Sequence, residues 1–188
     1  MEPKLLVDQG AALLLGEERD GEWVVGGVGA RRLAREHGTP LYVMDETRLR
    51  ANCRAYVTAL REAYPNSQAF FASKALCCLA TCRLAYDEGM GVDVVSVGEI
   101  HTALRAGVPA SALMLHGNNK TAEELALAIA SGVGRIGVDN FNDLDMLDAM
   151  TREAGRGVDV LLRLTPGIEP HTHKAIITGG VDSKFGFG

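Results

Sequence analysis

With 188 residues, 47% of them hydrophobic, the chain can bury one sizeable core but is short for two domains. A formal net charge of −5, with no run of Lys and Arg gathered on one segment, excludes the footprint of a nucleic-acid binder and directs attention to small-molecule chemistry. No stretch of roughly 18 apolar residues offers a membrane span, and residues 1–16 lack the basic start and cleavage site of a secretory signal, so the chain reads as cytoplasmic.

The first 40 residues stand apart, with residues 23–25 reading as a short strand and residues 31–37 as a helical turn. From Leu41 onward one pattern recurs: a short apolar run, a polar or glycine-containing turn, then an amphipathic stretch ending at glycine. The runs occupy residues 41–44, 69–73, 92–95, 113–115, 135–138 and 160–164, spaced as strand-plus-helix units. After the first run, Leu49, Cys53, Tyr56, Val57 and Leu60 share one helical face and leave Arg48, Arg54 and Arg61 for solvent. Ser96 with Glu99, and Thr121 with Glu124, have the spacing of capping boxes, while Gly89, Gly107 and Gly155 supply helix stops.

Such a succession suits a doubly wound sheet or an eight-stranded barrel. No G-x-G-x-x-G follows the first strand, and the ionisable residues within strands are spread over several of them. Both features favour an α/β fold of the (β/α)8 TIM type, incomplete at about six units. The expected division is residues 1–40 as a strand-and-helix segment outside the barrel and residues 41–188 as a partial barrel, so that the chain reads as a fragment or truncated product.

Charged residues interrupt the apolar runs. Lys74 ends the second run, at the strand terminus where barrel enzymes assemble their sites. Burial there would lower its pKa and free the amine to attack a carbonyl; alternatively the stem is buried and the ammonium reaches water. Asp93, His116 and Arg163 sit in or at the end of three further strands. An acid and two bases in such positions form either a compensated polar cluster in the barrel mouth or a structural ion-pair network. Asp139 reads as the turn before the next helix.

Of the four cysteines, Cys77, Cys78 and Cys82 crowd one short segment, an awkward setting for disulfides, and Cys53 stands alone; Cys78 and Cys82, one helical turn apart, lack a second ligand pair for a metal and read as small buried hydrophobes. His171 and His173 alternate but lack further ligands at matching spacing, so no metal site is expected.

Five segments, in order, resemble the alanine-racemase-like, fold type III pyridoxal-phosphate decarboxylases. They are Gly38-Thr39-Pro40-Leu41-Tyr42-Val43; Phe71-Ala72-Ser73-Lys74-Ala75; Val94-Val95-Ser96-Val97-Gly98-Glu99-Ile100; His116-Gly117-Asn118-Asn119-Lys120-Thr121; and residues 172–179 running into residues 182–187. The His-Gly-Asn-Asn-Lys and Thr-His segments are most like the branch of the family that acts on diaminopimelate. Around the lysine, Ser73-Lys74-Ala75-Leu76 departs from the family's frequent Val-Lys-Ala-Asn, and Ser96-Val97-Gly98-Glu99 replaces the usual Ser-Gly-Gly-Glu.

The resemblance implies a pyridoxal 5'-phosphate enzyme in which Lys74 condenses with the cofactor's aldehyde. It further implies that Asp93 and Arg163 lie beneath or beside the cofactor and that His116, in a family motif with Asn118, is a cofactor contact. Lys184 matches a position near a subunit interface, which implies a homodimer in the full-length enzyme. The implied reaction is decarboxylation of meso-diaminopimelate to L-lysine, with a small amino acid as the only ligand besides the cofactor. Alternatives are a related decarboxylase of ornithine, arginine or carboxynorspermidine, a racemase or cofactor carrier of the same fold, or a catalytically inactive fragment. In the family the ring-stacking histidine, the glycine-rich phosphate loop, the acid at the pyridine nitrogen and the partner subunit's cysteine come from later sequence, which implies that this chain alone is inactive.

Overall fold

The computed structural model describes residues 16–167 and 185–187, so the expectations for His171, His173 and Lys184 lie outside the described residues. By contacts the chain divides into a unit of residues 1–55 and a unit of residues 56–188. In the first unit, β1 (Glu17–Arg19), β2 (Glu22–Val25) and β3 (Val28–Gly29) form an antiparallel meander, followed by α1 (Ala30–His37). The expected strand and helix are both there. β1 and β3 escape the sequence reading because runs of two or three residues carry no periodicity of their own.

Residues 41–44 do not form the expected strand. They are irregular and exposed, with Tyr42 wholly in solvent, since no strand among the described residues offers them a ladder. The helix that follows, α2 (Glu46–Ala63), buries Val57 and half-buries Leu49, Cys53 and Leu60 as their spacing requires. Tyr56 departs from the expectation: it is exposed, one position off the buried line.

The second unit is a parallel sheet in the order β4 (Phe70–Ala72), β5 (Gly91–Val94), β6 (Leu113–Leu115), β7 (Arg135–Val138) and β8 (Val160–Leu162). The crossovers carry α3 (Leu79–Asp87), α4 (Val97–Arg105), α5 (Ala122–Ser131) and α6 (Phe141–Ala154). Spatial order follows chain order without a reversal, which is the arrangement of a (β/α) barrel; a doubly wound sheet reverses at a switch point.

Alternate strand residues build the core. Val92 and Val94, Leu113 and Leu115, and Ile136 and Val138 are buried with Ile100, Leu125, Ala128 and Leu147 from the helices. Beyond β8, Leu164 makes a parallel bridge to Phe187, whose backbone also exchanges hydrogen bonds with Arg163 and Thr165. Phe187 in turn packs edge-on to Phe141, ring centroids 5.0 Å apart.

The helix starts show how one motif serves two ends. At α5, Thr121 accepts from the Glu124 amide and Glu124 accepts from the Thr121 amide, a closed capping box. At α4 only the first half forms: Ser96 accepts from the Glu99 amide, while the Glu99 carboxylate is used elsewhere. α6 is capped by Asn140, whose side chain accepts from the Asp143 amide.

Candidate active site

In a parallel sheet the carboxyl ends of all strands face one way, so residues that end consecutive strands gather on one rim. β4 ends in a single 3-10 turn, Ser73–Ala75, which puts Lys74 at mid-turn. Asp93 belongs to β5, His116 follows β6, Asp139 follows β7 and Arg163 follows β8. Lys74, Val95, His116, Asn118, Arg163 and Phe185 line one open recess of about 470 Å³ on this rim.

Lys74 is exposed at the mouth of that recess. Of the two readings open for it, an amine freed by burial or an ammonium that reaches water, its exposure agrees with the second.

Behind the lysine runs a chain of polar contacts. Asp93 Oδ2 lies 3.8 Å from His116 Nδ1. Asp93 Oδ1 is buried with no hydrogen-bond partner among the described residues. On the other side of the imidazole, Arg163 Nη1 is 3.4 Å from His116 Nε2 and 3.2 Å from Asp139 Oδ1. For Arg163 to donate to Nε2, the ring proton must sit on Nδ1, facing Asp93. The Arg163 guanidinium also lies 4.2 Å from the centre of the Phe185 ring, a cation–π contact. Gly137 leaves room for this arrangement: a Cβ there would stand 3.2 Å from His116 Cδ2.

Asp139 escapes the sequence reading. It is not a turn residue in the ordinary sense, because Asn140 performs the capping and Asp139 is buried, accepting from both Arg163 and the Gly186 amide. Its position at the end of a strand was the available signal. A second support also went unread. Lys120 donates to the Gly117 carbonyl at 2.6 Å and to Asp143 Oδ2 at 2.7 Å, both side chains fully buried, while Asp143 Oδ2 also accepts from the Asp139 amide. This ion pair ties the loop after His116 to the end of β7.

Past the Lys74 turn, Cys77 and Cys78 lead into α3 and Cys82 lies within it. Cys78 occupies the helix N-cap, where the Thr81 side chain hydrogen-bonds it and holds its pKa below the usual thiol value. Cys82 is fully buried, and that burial, followed by the neighbouring Cys77, pushes its thiol up to about 12. Cys77 and Cys78 are half-buried, so of the pair expected to be buried small hydrophobes, Cys82 is one and Cys78 is not.

Comparison with known proteins supplies the context. Residues 49–188 match the model of the family described as "Pyridoxal-dependent decarboxylase, pyridoxal binding domain". The diaminopimelate decarboxylase of Bacillus subtilis is 46% identical over 171 residues, a stretch that is 91% of this chain and 39% of that protein. The diaminopimelate decarboxylase of Actinosynnema pretiosum is 47% identical over 167 residues, or 89% of this chain and 37% of its own. The crystal structure of diaminopimelate decarboxylase from M. jannaschii in complex with L-lysine superposes with a TM-score of 0.81 at 34% identity, covering 92% of this chain and 41% of that one. The chain thus spans about two-fifths of the length of these relatives. Lys74, Asp93, His116 and Arg163 all fall within the matched residues, and the chain belongs to the pyridoxal-dependent decarboxylases, of whose pyridoxal-binding domain it is a part.

Proposed function

We propose that this chain contributes the lysine end of a pyridoxal-phosphate site in an enzyme that converts meso-diaminopimelate to L-lysine and carbon dioxide. One observation carries the reading: Lys74, His116 and Arg163 line a single recess at the strand ends, and the neighbouring Asp93 has an oxygen that is buried and, among the described residues, unpartnered. Buried carboxylate oxygens do not stay without donors at no cost, so Asp93 Oδ1 marks a place that a ligand's proton or donor group fits. An exposed primary amine fits an aldehyde, and a guanidinium already steadied by Asp139 and Phe185 fits an anionic or aromatic group. The donor set matches the cofactor.

Lys74 would hold the cofactor's aldehyde, with Asp93, His116 and Arg163 beside its ring. When bound, pyridoxal phosphate supplies the electron sink for the pair left behind as carbon dioxide departs. The protein's part is to orient and to hold protons. Asp93 faces His116 Nδ1, and Asp139 and Phe185 fix the plane of Arg163. The reading extends to a homodimer and to the cytoplasm for the whole enzyme. In support of the latter, no helix among the described residues is long and apolar enough to cross a membrane.

The test is chemical trapping. Incubating the chain with pyridoxal phosphate, reducing with borohydride and mapping peptides should place the pyridoxyl mass on Lys74, and Lys74→Ala should remove it. Label spread evenly over surface lysines would overturn the assignment. With the intact enzyme, carbon dioxide release from meso-diaminopimelate is expected to exceed that from ornithine, arginine or carboxynorspermidine by at least a hundredfold.

A further inference from the structure

Ser73, the residue before the site lysine, is fully buried while Lys74 itself is exposed. Its hydroxyl lies 2.7 Å from the Asp93 carbonyl on β5 and 2.8 Å from Glu99 Oε2 on α4. The same carboxylate oxygen accepts from the Val95 amide at 2.7 Å. One oxygen therefore joins the turn after β4, the turn after β5 and the first turn of α4.

The detour of Glu99 is what sets this apart from ordinary helix capping. The chain contains two copies of the capping signature, and at Thr121 and Glu124 the box closes on its own helix. At Ser96 the serine caps as usual, but the Glu99 side chain reaches to Val95 and across to Ser73. A helix start that needed only capping would keep its carboxylate at home. The departure from the family's frequent valine before the lysine supplies the hydroxyl that the carboxylate meets.

We propose that Ser73 and Glu99 are positioning residues that lock the Lys74 turn in register with Asp93, so that the amine and the buried carboxylate are presented together to the cofactor. Ser73 has two acceptors within reach of its one hydroxyl proton: the backbone carbonyl of the Asp93 strand, and Glu99, which also holds the turn that follows that strand. Without the hydroxyl, the 3-10 turn loses its side-chain tethers to β5 and α4, and the amine samples positions away from the recess. Misplacement by about 1 Å is enough to cost roughly a hundredfold in a reaction that depends on orientation. The inference rests on Lys74 being the cofactor lysine.

Three measurements on the full chain test it. Ser73→Ala should reduce borohydride-trapped pyridoxal phosphate on Lys74 at least fivefold at a fixed, sub-saturating concentration, and Ser73→Thr, which keeps the hydroxyl, should recover most of it. Acetic anhydride, which asks only for exposure, should label Lys74 equally in wild type and Ser73→Ala. Should Ser73→Ala fail to fold, Glu99→Asp keeps the charge at the helix start, withdraws the carboxylate by one methylene and carries the same fivefold expectation. Equal trapping in wild type and the variants would overturn the positioning role and leave Lys74 as the cofactor lysine. No trapping on Lys74 in wild type would instead overturn the functional reading beneath it.

Discussion

Arg163 Nη1 stands 3.2 Å from Asp139 Oδ1, and the aspartate is almost completely buried although the arginine is not. The pair therefore behaves as a fixed acceptor with a cation docked on it. Asp139 has a second debt, to the Gly186 amide at 2.9 Å, so that one carboxylate sets both Arg163 and the segment that stacks Phe185 beneath it.

Replacing Asp139 by Ala should cost on the order of 2 kcal/mol, since two donors lose an acceptor and one is charged. Asp139→Asn, which can still accept through its amide oxygen, should cost less than half of that. Urea denaturation of the three chains decides it; equal midpoints for wild type and Asp139→Ala would show that the pair holds nothing.

The Lys120–Asp143 pair is a different case, with both side chains out of solvent. Lys120→Met should destabilise by about 3–5 kcal/mol because it strands a buried carboxylate. Adding Asp143→Leu should return most of the loss, as removal of a whole buried pair often does. A double variant no more stable than the single one, by chemical denaturation, would contradict the ionic reading.

Cys82 gives stability a pH dependence at the alkaline end. Its thiol is raised in the folded chain to about 12 from the ordinary value of 9.0, so the unfolded chain ionises first. The contribution is fully present below about pH 9 and is lost progressively as pH rises toward 12. Cys82→Ala should flatten the fall in denaturation midpoint between pH 9 and the highest pH accessible; an unchanged slope would sink the argument.

Thr121→Ala should lower stability by about 1 kcal/mol by opening the capping box at α5. Ser96→Ala is expected to cost at least as much, because it also frees the helix turn that presents Glu99 to Ser73. Melting curves of the two variants, compared side by side, test that ordering.

The sequence was most legible where one repeat was imposed on many positions. β5, β6 and β7 are hydrophobic on alternate residues and flanked by helices with clear stops, and all three lie within a residue of where the pattern puts them. Residues 41–44 have the same apolar look but no partner strand among the described residues, and pairing is a long-range property that composition does not encode. The site shows the same division. Lys74, Asp93, His116 and Arg163 were visible as charges out of place in strands. Ser73, Asp139 and Lys120 were not, since a serine, an aspartate at a turn and a lysine in a polar loop are unremarkable until burial is known.

The order of the parallel strands bears on how the molecule comes to be assembled. Ser73 and Asp93 are 20 residues apart, Lys120 and Asp143 23, and Asp139 and Arg163 24. Each of these polar groups meets its counterpart one strand and one helix later, so loops to be closed are short and contacts accrue from the amino end onward. A nascent chain released after Val138 should already protect the amides of β5 and β6 from hydrogen exchange, before Arg163 has been added to the rim.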